Sequence, residues 1–199
     1  ESYRAYVYKP KGLAPPAGWP LLLFLHNWRE AGDDLKETIS EVADGPMLNL
    51  SKGNGLPELC DHFVVAAPQA PSQRHGFTTD KIVKLLDFLL DLERSMVRLD
   101  PLRLYLTGTS HGGFSALLAA STGRFTAVAA VAPAGHMKPL DVFHVPVWAF
   151  HGMNDAVIKS GTSEQLIKSL LAMGADPDHA RLTLYEKAPP RPGASAEGH

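Results

Sequence analysis

The sequence predicts an α/β fold, a doubly wound and mostly parallel β-sheet with helices on both faces. Short, almost uniformly apolar runs alternate with longer stretches of helical periodicity, as strands covered on both sides require. One strand-to-helix junction, Gly108-Thr109-Ser110-His111-Gly112, is also crowded with glycine in a way that a plain connection does not need.

Taken in order, Ser2–Tyr8 reads as an edge strand with aromatic alternation, and Pro10–Pro20 as a turn-rich link to the buried strand Leu21–His26. Asp33–Asp44 has the pattern of a helix and is followed by an irregular, glycine-rich stretch to Gly55. A second apolar run, Phe63–Ala67, stops at Pro68. Thr79 is placed to cap a long helix, Asp80–Arg98, with Ile82, Leu85, Leu86, Leu89 and Met96 on one face and Asp100-Pro101 as its end. Leu102–Thr107 is the next strand, Ser110–Ser121 an Ala/Leu-rich helix, and Phe125–Val131 and Val145–Phe150 two further strands. Ser160–Met173 is a helix ended by Gly174, and Arg181–Tyr185 is the last strand. With no internal repeat and no linker-like stretch before residue 188, a single domain over 1–199 is the simplest division.

Composition removes several functional classes. A formal net charge of -2 over 199 residues, without a Lys/Arg cluster interleaved with aromatics, gives no footprint for nucleic acid. The longest purely apolar run, Leu21–Leu25, is far below the ~18 residues of a membrane span. The lone Cys60 excludes an internal disulfide and leans toward a reducing, cytoplasmic setting. The 9 histidines include no pair at His-x-x-x-His spacing, so neither a metal nor another cofactor is expected. Oligomeric state is not legible at this level.

Gly108-Thr109-Ser110-His111-Gly112 lies between an expected strand and an expected helix, the setting of a nucleophile elbow, where glycines admit the close approach of neighbouring backbone. Ser110 is therefore the candidate nucleophile; its plainer use would be as a helix N-cap. An activated serine needs a base in hydrogen-bond reach and an acid that orients the base, in the chain order serine, acid, histidine. Asp155, in the loop after the strand Val145–Phe150, is the expected acid, against the plainer role of a turn aspartate; Asp141 lies before that strand, at the wrong end. His199 is the expected base, since it is the only histidine after the last strand, whereas His179 precedes that strand and His136 and His144 lie in a connection. Two N–H donors should hold the oxyanion: His111, following the nucleophile, and Trp28, with Asn27 as alternative, in the loop after Leu21–His26. Trp28 and Asn27 are also the expected substrate-binding residues, with core packing as the competing use of Trp28.

Jointly, Tyr3-Arg4-Ala5-Tyr6, Pro20–His26, Phe63–Ser72, Asp100–Phe114 and Val145–Val157 resemble the α/β-hydrolase superfamily, and within it uncapped esterases of the phospholipase/carboxylesterase, feruloyl esterase, polyhydroxybutyrate-type and "predicted peptidase" groups. The resemblance implies a minimal α/β-hydrolase fold without a cap domain. It implies cofactor-independent cleavage of carboxylic esters through an acyl-enzyme, with thioester or peptide cleavage, or a degenerate binding module, as alternatives. Three departures bear on this expectation. His26-Asn27-Trp28-Arg29 stands where such enzymes usually carry His-Gly-x-Gly, so the oxyanion loop should differ in geometry. His111 follows the nucleophile where Met is commoner, and the chain stops at His199 where the family continues into a final helix, as an excised fragment would. Only about a dozen residues, Ala132–His144, stand where a lid would be inserted, which predicts an open site suited to small or extended esters rather than to long-chain lipids.

Overall fold

The computed structural model describes residues 3–40, 43, 45–74, 76–91 and 97–187. Among these residues seven strands form one sheet in the order β1-β3-β2-β4-β5-β6-β7. They are β1 (Ala5–Tyr8), β2 (Trp19–Leu25), β3 (Val64–Pro68), β4 (Leu99–Thr109), β5 (Ala127–Val131), β6 (Val147–Gly152) and β7 (Ala180–Tyr185). Only the edge strand β1 runs antiparallel, to β3; every other pairing is parallel. The chain steps from β2 to β3 on one side and returns through β4 on the other, so strand order reverses between β2 and β4. Open parallel sheets bind ligands at that reversal, beyond the strands' carboxyl ends.

Helices α3 (Thr79–Asp91), α4 (His111–Ala120) and α6 (Gly161–Ala172) pack on the principal core, with short helices α1 (Met47–Ser51), α2 (Pro57–His62) and α5 (Pro139–Val142). In α3 the expected face, Ile82, Leu85, Leu86 and Leu89, is buried, each side chain contributing at most about 1.5–3 kcal/mol by leaving water. Met96, also expected on that face, lies outside the described residues. Leu21, Leu23 and Leu25 join them from the sheet, while Phe24, Val65 and Ala67 point to the opposite face and pack with Met47 and Leu50. Among the described residues no helix is long and apolar enough to cross a membrane. The connection from β5 to β6, where a cap would be inserted, holds only the four-residue α5.

Several boundaries differ from the sequence expectation. β2 starts at Trp19, whose N–H donates to Arg98 O, and the register shifts after it because Pro20 has no N–H to give. β4 takes in Leu99, Asp100 and Pro101, since Leu99 pairs with Trp19 across the sheet. In place of the helix expected over Asp33–Asp44, the described residues form a single 3-10 turn, Leu35–Ile39, capped by Asp34 and ended by extended Ser40. The stretch to Gly55, expected to be irregular, holds the short α1, and α2 follows it, with Pro57 opening α2 from its first position.

Candidate active site

Trp28, Ser110 and Asp155 follow the carboxyl ends of β2, β4 and β6, on one edge of the sheet. Ser110 follows β4 directly with φ 53° and ψ −117°, a conformation that L-residues avoid. Its backbone is fastened on both sides. The Ser110 N–H donates to Val131 O at 2.9 Å, and its carbonyl accepts from Phe114 N at 3.1 Å and Ala134 N at 3.0 Å. Ala132, at φ 42°, turns the chain just after β5 so that Ala134 reaches that carbonyl. Ser110 stands at the N-cap position of α4 but makes no capping hydrogen bond with its side chain, which leaves the hydroxyl uncommitted to the helix.

The flanking glycines are required by proximity. A Cβ on Gly108 would stand 2.6 Å from Leu25 O and from Gly112 O, and one on Gly112 would stand 2.6 Å from Leu25 C and closer still to the carbonyl oxygens of Leu25 and His26. The first turn of α4 is thus pressed against the end of β2. This contact places the loop that begins at His26 beside the N–H of His111, which as the first residue of α4 has no partner within the helix. The His111 ring itself lies against Gly76, at a point where a Cβ would collide with it. Tyr3 holds that neighbouring loop, its hydroxyl accepting from Thr78 N at 2.7 Å and donating to Gly76 O at 3.4 Å.

The loop after β2, where the sequence reading looks for the second oxyanion donor, has no glycine from His26 to Glu30 and is shaped by side chains instead. Asn27 caps a 3-10 turn, Trp28–Glu30, with its Oδ1 accepting from Arg29 N at 2.7 Å and its Nδ2 donating to Glu30 Oε1 at 3.2 Å. His26, 2% exposed, accepts from Ala70 N on Nε2 at 3.0 Å. The proton must then sit on Nδ1, which donates to Asn27 O at 2.5 Å. Burial pushes His26 down to about 4, assisted by the nearby His111 and opposed by its bond to the Asn27 carbonyl, so the ring is neutral at ordinary pH. Trp28 is 50% exposed, which excludes core packing as the use of its ring.

Asp155 follows β6 in a turn. Its Oδ1 accepts from Val157 N at 2.8 Å and Ile158 N at 2.9 Å, as a turn aspartate would, while Oδ2 takes no part in that turn and stands 3.7 Å from His151 Nε2. His151, fully buried, anchors the loop by donating to Ile158 O at 2.8 Å and meeting Ser163 Oγ at 2.8 Å. The loop of Asp155 is also tied to the end of β7, through Met153 N to Tyr185 O at 2.8 Å and Asn154 Nδ2 to Glu186 O at 3.0 Å. His199 lies outside the described residues. His179 stands just before β7 at its amino end, and His136 and His144 are exposed, so none of these competes for the site from a buried position. Asp141 lies in α5, on the approach to β6. His26 and His151 were not singled out from the sequence. Each directly follows or ends an apolar strand at the ligand-binding edge, and that placement is the signal that would have found them.

No family model matches the chain, and no curated protein matches it. Solved structures do. A thermostable esterase is 24% identical with a TM-score of 0.72 over 92% of this chain, which spans 50% of that protein's length. Esterase PE8 is 21% identical with a TM-score of 0.62, covering 93% of this chain and 89% of its own. Acyl-protein thioesterase 2 of Zea mays is 15% identical with a TM-score of 0.59, covering 94% and 90%. At these identities the likeness speaks for architecture, and with the strand order and the short connection from β5 to β6 it gives one conclusion: the chain has the α/β-hydrolase fold.

Proposed function

We propose that the protein is a cofactor-independent serine hydrolase that cleaves carboxylic esters of small or extended substrates through an acyl-enzyme. The single observation that carries this reading is Ser110, held at φ 53° by bonds to both of its peptide groups, with a hydroxyl that caps nothing. Such strain persists only where surrounding structure enforces it, and it sets the hydroxyl at the edge where this architecture places ligands. In the mechanism Ser110 Oγ attacks the ester carbonyl while His199 takes its proton. Asp155 orients His199 through Oδ2, the oxygen not engaged by the turn, and the N–H groups of His111 and Trp28 receive the oxyanion. His199 then returns the proton to the leaving alcohol, and water repeats the sequence on the acyl-enzyme. The chain's likeness to structures named as esterases supports the same class. The likeness to a structure named as an acyl-protein thioesterase favours thioesters as the second substrate class.

A fluorophosphonate probe, followed by mass mapping, tests this directly. Labelling is expected on Ser110 alone, absent in Ser110→Ala and strongly reduced in His199→Ala. A folded wild-type chain that stays unlabelled would overturn the assignment.

A further inference from the structure

We infer that His26 is a positioning residue for the second oxyanion donor, its Nδ1–H clamping the Asn27 carbonyl so that the Trp28 N–H is presented to the substrate oxygen. This rests on the Ser110 chemistry proposed above. Asn27 C=O and Trp28 N–H belong to one planar trans peptide and therefore point in opposite directions. The carbonyl points to the buried imidazole at 2.5 Å. The N–H is thereby turned away from the core, in a loop whose backbone presses on the first turn of α4 through Gly112. The imidazole itself cannot swing, because Nε2 is held by Ala70 N at 3.0 Å and the ring packs against Phe77 with centroids 4.7 Å apart. With no glycines in the loop, the side chains of His26 and Asn27 determine how it runs, and Asn27 contributes the cap on Arg29 N.

Two substitutions separate clamping from mere anchoring. His26→Asn puts an amide N–H where Nδ1–H stands and gives up the bond to Ala70. His26→Gln puts its amide where Nε2 stands, keeping an acceptor for Ala70 N–H and giving up the clamp. The readouts are the second-order rate of Ser110 labelling by a fluorophosphonate and the kcat and KM for p-nitrophenyl acetate. Losing one oxyanion donor costs about 10²–10³-fold in kcat. His26→Gln should therefore react about 10²-fold more slowly with KM nearly unchanged, while His26→Asn stays within about fivefold of the parent. Equal losses in both variants, or no loss in His26→Gln, overturn the inference. The imidazole tautomer of the wild-type chain, read by nitrogen NMR at neutral pH, decides the matter even where a variant fails to fold: a proton on Nδ1 is expected, and a proton on Nε2 overturns it. A wild-type chain that resists the probe altogether refutes the hydrolase reading instead, and the tautomer measurement still judges the clamp.

Discussion

Replacing Gly112 with alanine should damage both stability and reactivity, and the size of the effect follows from the packing of α4 on β2. The new Cβ would stand 2.6 Å from Leu25 C, with two carbonyl oxygens nearer still. Carbon atoms in contact prefer about 3.5–4.0 Å, so the overlap is roughly 1 Å, and every atom it meets is backbone, at the end of β2 and the residue after it, that cannot rotate aside as a side chain could. Overpacking costs about 1–3 kcal/mol where side chains can adjust, and the rigid surroundings here place Gly112→Ala at about 3 kcal/mol or above. For a chain of this size that lowers Tm by roughly 6–12 °C. The same displacement moves the first turn of α4 off the loop after β2 by about 1 Å, which costs on the order of 10²-fold in Ser110 labelling. Gly152→Ala is the matched control, since a Cβ there meets nothing within 4 Å; its Tm should move by no more than about 2 °C. Calorimetry of the two variants beside the parent provides the assay. If Gly112→Ala melted within 2 °C of Gly152→Ala, the close approach of α4 to β2 would be wrong, and with it the construction of the site.

Ser110→Gly should raise Tm by about 2–4 °C, because glycine relieves the strain at φ 53° at a smaller entropic cost, whereas Ser110→Ala should leave it unchanged; identical melting of the two would remove strain from the account. Trp28→Pro deletes the proposed donor with little backbone disturbance, since Asn27 at ψ 172° already has the extended conformation that precedes proline. Labelling of Ser110 should fall about 10²-fold in Trp28→Pro and stay near normal in Trp28→Ala, and equal rates would exclude the Trp28 N–H. Lowering the pH should destabilise the fold in two stages. Because burial holds His26 at about 4, the unfolded chain binds that proton first, and roughly 3 kcal/mol present above pH ~6.5 is lost as pH falls toward about 4. Leu102 N–H and Arg103 hold Asp100 below the usual carboxylate range, so its contribution is lost only below about pH 4. Urea midpoints across pH 4–7.5 check this, and a His26→Gln variant with the parent's slope between pH 4 and 6.5 would contradict the first stage.

What the sequence revealed and what it hid divide by the range of the interactions involved. Gly108, Ser110 and Gly112 are legible because the elbow is a local device, and Leu21–Leu25 because a strand buried on both faces is apolar throughout. The α3 face is legible because Ile82, Leu85, Leu86 and Leu89 repeat at helical spacing. The extension of β4 back to Leu99 depends on a partner in β2, and the turn Leu35–Ile39 starts from Asp34, whose carbonyl accepts from Gln69 Nε2 at 2.7 Å from 35 residues away. His26 is joined to Ala70 across 44 residues and His151 to Ser163 across 12, so their duties as loop anchors appear only once the sheet is assembled.

The central position of β4 gives Ser110 one more property. Strands β1–β3 lie on one side of it and β5–β7 on the other, so the loop of Trp28 comes from the first part of the chain and the loop of Asp155 from the last. A molecule with only one flank folded would still carry the serine at its strand end, but would lack either the proposed Trp28 donor or the proposed acid. On the proposed mechanism, covalent titration of Ser110 counts molecules in which the two flanks have joined, and during refolding the recovery of titratable serine should trail the recovery of helical signal, timing the final closure of the sheet.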